Sequence, residues 1–89
     1  MNFEKLYEPI EAIVHFDGKT AYLLRFKWNG RTYKVVKNQH KWTERQGQYK
    51  LVHFNVLADL SALVDHSDYF EIVLNCETFE WKTVGQQYI

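Results

Sequence analysis

Side chains do chemistry as nucleophiles, bases, metal ligands or fixed charges, and this sequence is unevenly supplied with them. Its nitrogen and sulfur ligands are His15, His40, His53, His66 and Cys76. None are spaced as C-x-x-C, H-x-x-x-H or H-E-x-x-H, the spacings that set ligands side by side, so the sequence implies no metal and no cofactor. Cys76 stands between Asn75 and Glu77, with no adjacent base to favour a reactive thiolate. Ser61 and Ser67 lack a nucleophile-elbow context. Asp59, Asp65 and Asp68 gather around His66, a pattern that reads as a solvated acidic loop before it reads as an acid–base pair. Gly18, Gly30, Gly47 and Gly85 are too dispersed to cradle a phosphate. No catalytic residue is assigned, and the expectation is a protein that is not an enzyme.

Fixed charge is different. Net charge is zero, but residues 19–50 carry nine cations against Glu44 alone, a net +8, and the remainder carries Lys5 and Lys82 against ten carboxylates, a net −8. The cations are interleaved with Tyr22, Phe26, Trp28, Tyr33, Trp42 and Tyr49. Nucleic-acid-binding β-domains use this mixture, with cations on phosphates and aromatic faces on bases. The candidate ligand-binding residues are therefore Arg25, Lys27, Lys34, Lys37, Lys41, Trp42 and Arg45, and Trp42, in a polar stretch, is the aromatic least explained by packing. The competing explanation is internal: the aromatics form the core and acidic strands neutralise the cations. The leading functional expectation is a non-enzymatic binding module for nucleic acid in DNA metabolism. The alternative is a protein–protein adaptor that takes an acidic or extended segment without binding nucleic acid. A small metal-dependent hydrolase is a distant third.

Strands must position these residues. Asp17-Gly18 and Asn29-Gly30 are the dipeptides of two-residue type I′ hairpin turns. They separate strand-like segments at 10–16, 21–28 and 31–38, the last able to continue to 43. Tyr22, Leu24, Phe26 and Trp28 alternate with Leu23, Arg25 and Lys27, which predicts one apolar and one basic face. A two-residue turn at Asn29-Gly30 sets Trp28 opposite Arg31, Phe26 opposite Tyr33, Arg25 opposite Lys34 and Leu24 opposite Val35. Ala12, Val14 and Phe16 should share a face with Leu23. A turn at residues 45–48 leads into a strand at 49–57, and residues 69–75 and 79–84 form a last hairpin around Cys76-Glu77-Thr78. Residues 58–68 read as a loop or short helical turn, capped by Asp59 with Leu60, Leu63 and Val64 on one face. The fold class is all-β: a strongly curved antiparallel sheet or partly open barrel of about six strands, residues 1–89 forming one domain.

Size and composition agree. A chain of 89 residues buries only roughly 60–65% of its unfolded surface and depends on large side chains, here three Trp, six Tyr and six Phe. One cysteine allows no internal disulfide, which favours a reducing, cytoplasmic setting. Residues 1–10 lack the apolar run of a signal peptide, and no stretch approaches the roughly 18 apolar residues of a membrane span.

The segments Leu6-Tyr7-Glu8-Pro9-Ile10-Glu11, Arg25-Phe26-Lys27-Trp28-Asn29-Gly30-Arg31-Thr32-Tyr33-Lys34-Val35, Trp42-Thr43-Glu44 and Phe79-Glu80-Trp81-Lys82 resemble a family of small bacterial all-β proteins of unknown function. Its members carry a similar F-x-W-x-G-R-x-Y hairpin and a terminal hairpin ending near a Trp. Some are encoded beside genes for translesion DNA synthesis, so the resemblance implies a role near DNA and no catalytic residue. Residues 58–68 look like an insertion relative to the family. Phe79 stands where a turn Gly is usual, which implies a strained or longer turn.

Overall fold

The computed structural model describes residues 3–60 and 67–88, and every regular element among them is a strand. These are β1 (Phe3–Pro9), β2 (Glu11–Phe16), β3 (Ala21–Trp28), β4 (Arg31–Gln46), β5 (Tyr49–Leu60), β6 (Ser67–Asn75) and β7 (Trp81–Tyr88). They form one antiparallel sheet in the order β1-β7-β6-β5-β4-β3-β2. The all-β curved sheet is therefore as expected, with β1 as the additional strand. Its charges and the lack of a preceding turn signal hid it.

The strand order forces the curl. β1 and β2 lie at opposite edges of the sheet yet are joined by Ile10 alone. Flat, those edges would be about 29 Å apart at ~4.8 Å per strand. A single linking residue spans no more than ~7 Å. The sheet must roll until its edges meet at this corner. There the Ile10 amide donates to the Trp81 carbonyl at 3.0 Å. A second stitch crosses the seam where Trp28 Nε1 donates to Glu8 Oε2 at 2.7 Å. The product is a half-barrel, closed at the Ile10 corner and open beyond it.

Three extra residues bend the strands. The β2–β3 register slips so that Ile13 faces Arg25 while Val14 faces Leu23, leaving Leu24 as the additional residue. Val36 and Gln39 are skipped in the same way between β4 and β5. Such bulges raise local twist and bend a strand. The first one corrects the expected Tyr22-Leu24-Phe26-Trp28 stripe. Leu23 and Phe26 are both 1% exposed, whereas Tyr22 and Leu24 are exposed. Phe26–Tyr33, Trp28–Arg31 and Arg25–Lys34 pair as predicted, but the regular ladder ends there and Leu24–Val35 is not part of it. Asn38 takes over beyond that point. Its Oδ1 accepts from the Leu23 amide and its Nδ2 donates to the Leu23 carbonyl, both at 3.1 Å. One amide side chain thus supplies the two bonds a neighbouring strand would have made.

Leu23, Phe26, Tyr33, Phe54, Val56, Ala58 and Ile72 form the core on the inner, concave face. Ala12, Val14, Trp28, Phe70 and Trp81 pack against it. Val14 shares the inner face with Leu23, as expected, and Ala12 lies opposite Phe26, but Phe16 is 70% exposed at the rim.

Two segments depart from expectation, and the last hairpin turn is longer and strained at Phe79, as that residue in place of a turn Gly implied. Asn29 and Gly30 do form a two-residue turn with φ of 53° and 75°. At Asp17-Gly18 the loop instead runs over residues 17–20, because Phe16 pairs with Ala21. The Asp17 carboxylate organises it by accepting from the amides of Lys19 (3.1 Å) and Thr20 (2.8 Å). Residues 58–60 and 67–68 belong to strands, not to a loop or helix, since Ala58 pairs with Asp68 and Asp59 with Ser67. Asp59 accepts a hydrogen bond from the Ser67 hydroxyl instead of capping a helix. Leu63, Val64, Asp65, His66 and Ser61 lie outside the described residues. The last turn is long: β7 starts at Trp81 rather than at 79, and Phe79 adopts a left-handed φ of 60° while 77% exposed.

Candidate functional site

Residues on β5 separate the two faces of the sheet. Phe54, Val56 and Ala58 point into the core, so Leu51, His53, Asn55, Leu57 and Asp59 point outward. Direct pairing then assigns β4: Lys34, Lys37, His40, Trp42 and Glu44 lie on the outer face, while Asn38, Lys41 and Arg45 lie on the inner one. Arg25, opposite Lys34, is outward, and so is Lys27 two residues along. The seven candidate residues therefore split. Arg25, Lys27, Lys34 and Lys37 form a basic corner on the outer face of β3 and β4, with Trp42 farther along β4, whereas Lys41 and Arg45 turn inward.

The four corner cations are all exposed. Among the described residues no carboxylate lies within ion-pair distance of them; the ion pairs found all involve His53. Two acids pair directly with this corner, Glu11 opposite Lys27 and Asp59 opposite Lys34, which leaves its four cations a net +2; Glu44 and Glu71 lie farther along the same outer face, beside His53. Ile13, Leu24 and Val36, at 58%, 47% and 49% exposure, add apolar surface around the bulges of the same corner.

Trp42 has a packing partner that its sequence context did not suggest. Its indole stacks on His53, directly opposite on β5, at 4.9 Å between ring centres with planes 4° apart, and on His40 at 5.4 Å. His53 is buried at 4% exposure between carboxylates from both neighbouring strands. Its Nδ1 lies 3.3 Å from Glu71 Oε2 and its Nε2 3.6 Å from Glu44 Oε1. Nε2 makes no hydrogen bond. The indole and the sheet cover the imidazole, and the Glu44–His53–Glu71 group spans β4, β5 and β6. Among the described residues no three His, Cys, Asp or Glu side chains are arranged to hold a metal, and no helix is long and apolar enough to cross a membrane.

Sequence reasoning missed this cluster although part of it was countable. Gly47-Gln48 is a two-residue turn, and counting back from Gln46–Tyr49 sets Trp42 opposite His53 and Glu44 opposite Leu51. Glu71 was not countable, because its register depends on the segment between β5 and β6. Cys76 is half-buried at a turn, where its amide donates to the Lys50 carbonyl at 2.9 Å. Comparison with protein-family models, curated proteins and solved structures finds no match to this chain.

Proposed function

We propose that this protein is a non-enzymatic binding module that takes nucleic acid on the outer face of β3 and β4. The observation that carries the reading is the basic corner: Arg25, Lys27, Lys34 and Lys37 share one exposed face and have no ion-pair partner among the described residues. Arg25 and Lys34 face each other directly, an unfavourable arrangement of like charge that an anionic ligand relieves. Along a strand, cations two residues apart are separated by about 6.8 Å, close enough to engage successive phosphates of an extended chain. The resemblance to proteins encoded near translesion synthesis genes points the same way. Trp42 serves here by holding His53, not as a free platform for a base.

The neighbouring Ile13, Leu24 and Val36 favour a second reading, in which the corner docks an acidic segment of a protein that also carries apolar residues. Fluorescence anisotropy with labelled single- and double-stranded oligonucleotides separates the two. The nucleic-acid reading expects weak binding with little sequence preference, lost in the Arg25→Glu, Lys27→Glu, Lys34→Glu variant. No binding of either probe at low salt would leave the adaptor reading.

A further inference from the structure

The inner face carries a second feature, independent of the basic corner. The β2–β3 loop comes to lie over the inner face of β4, β5 and β6. The half-barrel is not closed there. It leaves a cleft of about 370 Å³ lined by Phe16, Ala21, Val52, Phe54 and Leu74, with Lys19 and Lys41 at its rim. A contiguous cavity of about 250 Å³ shares Thr20, Ala21, Lys41 and Phe54 and extends to Tyr22 and Asn38. Small-molecule sites span roughly 300–1,000 Å³, are mostly apolar with a few convergent polar groups, and occur at the mouths of β-barrels. Lys41 and Lys19 are the charged groups at this mouth, and neither has a carboxylate within ion-pair distance among the described residues. An apolar wall with two unpaired ammonium groups at its rim matches a ligand with an apolar body and an anionic head.

We infer that this cleft binds a small amphiphilic carboxylate, with its chain against Val52, Phe54 and Leu74 and its head between Lys19 and Lys41. The inward turn of Lys41, one residue from outward-facing His40 and Trp42, places its charge over the apolar floor. Trp81 packs on Phe54 at 5.5 Å and lies opposite Leu74 on the same inner face, so occupancy of the cleft is transmitted to an indole.

The test is a titration of the ¹⁵N-labelled protein with decanoate, decanol and decyltrimethylammonium. Decanoate should shift the amides of Thr20, Ala21, Lys41, Val52, Phe54 and Leu74, leave those of Arg25, Lys27 and Lys34 in place, and change Trp81 emission. Decanol should bind more weakly and the cation most weakly. Lys41→Gln should weaken decanoate about fivefold, the upper end for a solvent-exposed ion pair, and Lys41→Arg should restore it. Three results would each overturn the inference: decanol matching decanoate, no loss in Lys41→Gln despite an unchanged amide spectrum, or shifts confined to the outer face. The first two do not bear on the basic corner, whose ligand is tested separately.

Discussion

Asn38 should be worth more to stability than any other exposed polar residue of β4. It is exposed itself, yet it satisfies both backbone groups of Leu23, a residue 1% exposed at the centre of the core. Asn38→Ala removes both bonds and leaves a donor and an acceptor beside the bulge at Leu24. Stranding a buried polar group costs roughly 1–3 kcal/mol. These bonds are only partly buried, so the low end of that range applies to each, about 2 kcal/mol together. A domain this size unfolds in urea with a slope near the low end of ~1–3 kcal/mol per molar. The midpoint should therefore fall by about 2 M. Asn38→Asp keeps the acceptor for the Leu23 amide and should cost less. Gln39→Ala, at an exposed bulge position with no such bonds, should stay within about 0.5 kcal/mol of the parent. Equal midpoints for Asn38→Ala and Gln39→Ala would show that the side chain does not stand in for a strand.

Phe79→Gly should stabilise the fold by about 1 kcal/mol, because relief of a left-handed non-glycine residue exceeds the entropy that glycine adds to the unfolded chain; a lower melting temperature would mean that the exposed ring makes contacts worth more than the strain. Diethylpyrocarbonate should modify exposed His15 and His40 quickly and His53 slowly, and Trp42→Ala should bring His53 up to their rate; equal rates in the parent would contradict its burial. The amides of Thr20 and Lys19 hold the Asp17 carboxyl below its ordinary value of 3.8. A lowered folded-state value means that this loop's contribution is complete above the ordinary value and is lost as pH falls through the lowered one. A ¹³C titration should give an Asp17 midpoint under 3.8, and a midpoint above it would refute the hydrogen-bonded loop.

Much of the fold was legible because turn chemistry is local. Asn29-Gly30 fixed the β3–β4 register, and Gly47-Gln48 would have fixed β4–β5 from His40 to Gln46, up to the bulge at Gln39. What stayed hidden depends on distant partners. Leu23 and Leu24 look interchangeable in an alternating strand; only the slipped register against β2 decides that Leu23 is core. Asp17-Gly18 carries the same turn signal as Asn29-Gly30, but the Asp17 carboxylate finds two amides farther along and widens the loop. β1 has no alternation to read and exists because β7 offers it an edge. The candidate site was half legible for the same reason. Arg25, Lys27 and Lys34 follow from simple alternation, whereas Lys41 changes face relative to Lys37 because Gln39 is an extra residue between them.

The basic corner is tested most directly by the salt dependence of oligonucleotide binding. With four cations at the corner, full engagement of phosphates gives a log–log slope of roughly −2.8 to −3.6. Affinity should then fall by roughly 50- to 150-fold between 50 and 200 mM salt. Charge reversal at Arg25, Lys27 and Lys34 should abolish binding, with only a modest fall in melting temperature: these residues make no ion pairs within the described fold, but the new carboxylates lie opposite Glu11 and Asp59. A flat salt response, or a reversed variant that binds as tightly as the parent, would contradict the account.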